Sequence, residues 1–245
     1  MKKTQILFWS VILLIASPYK SNAQHSHKGL LSIVFNHYVN SLDLNLDSSV
    51  YKNSFEQTFI VTNFKYYIGN IHLKKTDEKE YISRDYFLIN EDAEKSKNII
   101  LNNIPNGEYT SISFIIGVDS AHNCNGAQSG ALDPVNTMFW AWNTGYIFLK
   151  VEGKSSFSKS PGNIFEYHIG GYKSPSNCIR SVTLKFEHPL VIENTKTADI
   201  KIKVDVAEIL KTPTNIDFTK LPTVTDSNNA TTLADNYMDM FTIQK

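Results

Sequence analysis

Apolar and polar positions alternate along this chain in short runs broken by turn residues, the period expected of half-buried strands. Residues 30–39, 58–62, 65–73, 86–89, 111–118, 146–151, 165–170, 181–186 and 198–206 all read this way. Breakers such as Pro105-Asn106-Gly107 and Ser160-Pro161-Gly162-Asn163 separate several of them. No long helical period occurs before the C-terminus, where residues 206–210 read as one turn and 230–240 as a short helix. The pattern predicts an all-β fold: an antiparallel β-sandwich of Ig-like or Greek-key type, about seven to ten strands, with long loops and a short C-terminal helix.

Three regions depart from the alternation. Residues 1–23 carry Lys2 and Lys3, an apolar run and then Ser21-Asn22-Ala23, the layout of an export signal cleaved after Ala23. That run is too short to span a bilayer, and no lipid-accepting cysteine follows it. A periplasmic or secreted protein starting at Gln24 is expected. The loop over 119–137 is rich in Gly, Asn, Ser and Ala, and loops of that length in compact domains are usually functional or disordered. The tail after Leu210 carries Pro213 and Pro222 and ends in an amphipathic segment. The expected organisation is therefore a leader (1–23), a β-sandwich domain (24–210), and a strap with a short helix packing on it (211–245).

Charge adds an exclusion. The 24 basic and 24 acidic side chains balance, and loss of Lys2, Lys3 and Lys20 with the leader leaves a small acidic excess. Nothing in that balance favours nucleic acid or an anionic membrane surface, and a chain of this size can be monomeric. The two cysteines, Cys124 and Cys178, both lie inside the mature chain, so an oxidising compartment predicts a disulfide between them.

Histidine is the leading ligand type. Alternation from Leu31 to His37 carries His37 to the inner, apolar face. His168 precedes Gly170-Gly171, a pair that lets another backbone or a bound ion approach closely. His122 sits in Asp119-x-x-His122, which reads either as a metal-binding pair or as an exposed turn. In Phe139-Trp140-Ala141-Trp142, strand geometry points Trp140 and Trp142 to one face, as core filling, as a stacking platform, or as oxidisable rings beside a metal. Hydrolase, metalloprotease, phosphate-loop and dinucleotide motifs are missing.

Several ordered motifs carry a family resemblance. They are Phe64-Lys65-Tyr66-Tyr67-Ile68-Gly69-Asn70-Ile71, Gly117-Val118-Asp119-Ser120, the stretch from Gly126 to Pro134, Met138 to Tyr146, and Tyr167-His168-Ile169-Gly170-Gly171. In these the chain resembles the MbnP-like proteins, exported copper-binding partners of MbnH-type di-haem enzymes. The resemblance implies a copper-binding β-sandwich without enzyme activity of its own. It also implies His37 and His168 as metal ligands, and Trp140 or Trp142 as the ring that the haem partner oxidises to kynurenine. At the short Trp-x-His copper element of one relative this chain has Phe35-x-His37. Two neutral imidazoles with a weak third ligand suit Cu(I). The rival readings are a metal-free module that binds carbohydrate or protein on Trp140, Trp142 and Tyr146, and an enzyme using the 119–133 loop.

Overall fold

The computed structural model describes residues 28–126, 128–140, 145–226 and 229–244. The expected leader lies outside them. Two sheets stack face to face. The smaller is built on β1 (Lys28–Val39), which pairs with β2 (Leu42–Asp43). The larger centres on β4 (Thr58–Lys75), an 18-residue strand preceded by β3 (Tyr51–Lys52) and returning through β5 (Glu80–Asn90). The chain then crosses back, and β6 (Asn98–Pro105) joins β1 before β7 (Gly107–Ile116) returns to β4.

After β7 come a short helix α1 (Ser120–Cys124), two 3-10 turns and the short β8 (Phe139–Trp140). β8 pairs with β9 (Gly145–Lys154), and β10 (Ile164–Gly170) pairs with β9 in turn. β11 (Arg180–Ile192) borders β7, and β12 (Thr197–Asp205) returns to the small sheet. The C-terminal segment adds β13 (Thr223–Val224) beside β10, the helix α2 (Ala230–Tyr237), and β14 (Phe241–Ile243) against β12. Asn236 is fully buried and ties α2 down, donating to the carbonyls of Ile209 and Thr214 and accepting from Thr214 N–H.

The all-β sandwich is as the alternation predicts, with two departures. β1 and β12 run parallel in register from Leu30↔Thr197 to Tyr38↔Asp205, as do β10 and β13, so both sheets are mixed. The runs read as 58–62 and 65–73 are one strand, because the irregularities inside β4 disturb the side-chain alternation without ending the pairing. One of them holds Asn70 at φ +48°.

The core between the sheets is dominated by aromatic rings. Phe35, Phe64, Tyr66, Phe114 and Phe241 meet there in edge-on and tilted contacts. A second, smaller core lies on the outer face of the large sheet. There the 119–140 loop folds back over β4 and β9, burying Tyr67, Leu132, Met138 and Tyr146. β9 is consequently buried on both faces, and reads as a nearly continuous apolar run.

Candidate metal centre

The register of β9 and β10 creates a polar rung on the outer face of the large sheet. Glu152 lies opposite Glu166, and Lys150 opposite His168, because residues 150 and 152 share one face of β9 while 166 and 168 share the matching face of β10. Two carboxylates directly across a ladder repel unless a cation lies between them. Here the His168 ring lies between them: its Nε2 is 2.6 Å from Glu152 Oε1 and 3.2 Å from Glu166 Oε1. Glu152 Oε2 also accepts from the Asn63 amide at 3.0 Å. The hydrogen bond from His168 holds the Glu152 carboxyl down at about 2, against the opposing effect of burial. The donor atoms of Glu152, Glu166 and His168 all lie within 4.8 Å of one another.

Lys150 closes the other side. Its ammonium donates to the Thr137 carbonyl at 2.7 Å and stands 4.0 Å from Glu152 Oε1. Burial pulls its pKa below the usual lysine range. On the far side a cleft of about 320 Å³, lined by Asp47, Asn63, Asp92 and Glu152 among others, opens to the surface.

His37 points the other way, into the core. Its Nδ1 is 2.5 Å from Glu91 Oε2 and its Nε2 is 2.9 Å from the Tyr66 hydroxyl. Both ring nitrogens are thus satisfied, and the ring is packed edge-on against Phe64 and Tyr66. Burial lowers the His37 pKa despite the neighbouring carboxylate. Burial acts to raise the Glu91 carboxyl, but its bonds to His37 and Lys97 outweigh this and hold it below the usual range. His37 extends from the small sheet into the core between the sheets, whereas His168 lies on the outer face of the large sheet, so the fold does not assemble the two-imidazole site that the sequence suggests.

His122 belongs to a cap. Asp119 is the N-cap of α1, accepting from His122 N–H at 2.8 Å. Its carboxylate also takes His122 Nδ1 at 2.9 Å and the Tyr86 hydroxyl at 2.8 Å. Of the two readings of Asp119-x-x-His122, the local turn is the one the geometry realises. Asp133 likewise caps a 3-10 turn through Val135 N–H.

The profile of the MbnP family matches residues 28–230. The chain belongs to the MbnP family. Among solved structures it is similar to MbnP from Methylosinus trichosporium, with a TM-score of 0.51 and 12% identity, over 77% of this chain and 79% of that one. At that identity the likeness speaks for the fold. No curated protein matches this chain.

In this MbnP-family chain Phe139, Trp140 and Tyr146 pack within the second core. Trp140 is 8% exposed and Tyr146 is fully buried, which counts against a stacking platform. Trp142 lies outside the described residues. Of the two approaches expected at the glycine pair, backbone or ion, the close neighbours are backbone, with an indole beside it: a Cβ on Gly170 would fall 2.4 Å from the Tyr146 carbonyl and 2.6 Å from the Trp140 ring. Gly171, at φ +122°, has the Ser176 carbonyl against it in the same way.

The expected Cys124–Cys178 disulfide is not formed. Cys124 is exposed at the end of α1 with its thiol against the Tyr172 hydroxyl, while Cys178 is buried with its thiol toward the Ser176 carbonyl. Burial pushes the Cys178 thiol up to about 11. The loop read as a possible enzyme site borders a cleft of about 440 Å³ between Tyr86–Leu88, Asn98–Ile100 and the 130–136 turns, whose lining holds no carboxylate or imidazole for acid–base work. No helix among the described residues is long and apolar enough to cross a membrane.

The missed residues are Glu152 and Glu166. Their signal, Lys150-x-Glu152 and Glu166-x-His168, consists of two same-face pairs that become a cluster only once the β9–β10 register is known.

Proposed function

We propose that this protein is an exported copper-binding protein, acting in copper handling beside an MbnH-type di-haem redox partner, and that copper is held by His168 Nε2, Glu152 Oε1 and Glu166 Oε1. Family membership supports the class. The observation that carries the site is the convergence of one imidazole and two carboxylates, three ligating atoms within 4.8 Å on adjacent rungs of one ladder. The donor set fits Cu(II), which favours nitrogen and oxygen ligands, better than the Cu(I) pictured for a pair of imidazoles. Asn63 fixes the second oxygen of Glu152, the kind of outer hydrogen bond that orients a ligating carboxylate. Glu152, held ionised down to about pH 2, is ready to ligate. Bound copper would supply a one-electron acceptor, and these residues would position it beside the loop that carries Trp140. The leader motif supports export.

Cu(II) electron paramagnetic resonance tests the assignment. The wild-type protein should give one copper signal with coupling to a single strongly bound nitrogen, absent in His168→Ala and altered in Glu152→Gln. A spectrum unchanged by both substitutions contradicts it.

A further inference from the structure

Seven tyrosines are buried among the described residues, and their hydroxyls do not share one kind of partner. Tyr51, Tyr67, Tyr109, Tyr146, Tyr167 and Tyr237 each donate to a backbone carbonyl. A carbonyl accepts a hydrogen bond but does not take the proton at ordinary pH. Tyr66 differs: its hydroxyl meets His37 Nε2 at 2.9 Å, and His37 Nδ1 in turn meets Glu91 at 2.5 Å. Glu91 is ionised and can only accept, so Nδ1 carries the imidazole proton and Nε2 is left as the acceptor for Tyr66 O–H. Lys97, 3.3 Å from both Glu91 oxygens, ends the chain of contacts toward the surface. Phe35, Phe64 and Phe241 wall the phenol ring from water.

We propose that Tyr66 is a redox-active tyrosine whose proton acceptor is His37, oxidised by a metal-centred one-electron oxidant of high potential that docks at the surface. In the step the Tyr66 O–H bond breaks and its proton forms an N–H bond at His37 Nε2. The electron passes to the oxidant, whose metal is reduced by one unit. A neutral tyrosyl radical and an imidazolium paired with the Glu91 carboxylate remain. Re-reduction by one electron returns the proton to Tyr66. The other buried tyrosines lack this route, because their oxidation would leave a protonated radical cation with no base in reach. Burial among phenyl rings keeps the radical from solvent and from coupling with other radicals. Copper at His168 is not needed for any part of this.

Flash photolysis of the metal-free mature protein with ruthenium tris-bipyridine and persulfate, followed by freeze-quench electron paramagnetic resonance, tests the proposal. The wild type should trap a neutral tyrosyl radical that forms more slowly in D2O. Tyr66→Phe, which removes only the hydroxyl, should lose the signal, and Glu91→Gln, which removes the charge that stabilises the imidazolium, should lower its yield. A tyrosyl signal that persists unchanged in Tyr66→Phe, a tryptophan-type radical in the wild type, or no trapped radical overturns it. If Tyr66→Phe does not fold, the yield of Glu91→Gln decides, and an unchanged yield overturns the proposal.

Discussion

At the scale of single residues, His37 has the most to lose. It is an imidazole in an aromatic core, kept neutral by burial and held at both nitrogens. Its pKa lies lower in the folded than in the unfolded chain, so its contribution to stability is complete above the ordinary value of 6.5 and is lost as pH falls through the folded value. Unfolding measured against pH should show stability falling below 6.5 with a slope of up to about 1.4 kcal/mol per pH unit, and that slope should vanish in His37→Gln. Glu91→Ala strands His37 N–H in the core and should cost about 1–3 kcal/mol in urea unfolding. The inward face of His37 was legible from alternation over 31–37. Its partners were not, because Tyr66 and Glu91 reach it from distant strands that only the sandwich brings together.

At the scale of elements, the β9–β10 ladder decides the chemistry. Pairing Glu152 with Glu166 and Lys150 with His168 concentrates two negative and two basic groups on two rungs. Lys150 faces the same carboxylate that would bind copper, so it opposes a divalent ion there. Lys150→Met should tighten Cu(II) binding by about tenfold or more in a competition titration, since a unit charge at that distance is worth several kcal/mol before screening. Weaker binding would mean that the ammonium's tie to Thr137, rather than its charge, governs the site. Gly170→Ala forces a Cβ against the Trp140 ring and the Tyr146 carbonyl, and should cost about 1–3 kcal/mol with a shift in tryptophan fluorescence. Strand positions could be read from sequence because their alternation is local. The parallel β1–β12 pairing and the β9–β10 register could not, because both are fixed by long-range packing.

At the scale of the whole molecule, the sequence motifs and the family profile converge on one MbnP-family β-sandwich. What composition and spacing could not supply was which histidines share a face. Both His37 and His168 sit in β-type runs next to apolar residues, and only the sandwich shows one turned to the core and the other to the outside. The cysteines teach the same lesson, since an even count and an export signal predict a bridge that their separate surroundings do not make. Copper analysis of the protein exported by its native host, after dialysis and beside His168→Ala and His37→Gln, tests the central claim most directly. The wild type and folded His37→Gln should each hold one copper per chain, and His168→Ala none above background. Copper retained in His168→Ala but lost in His37→Gln would contradict it.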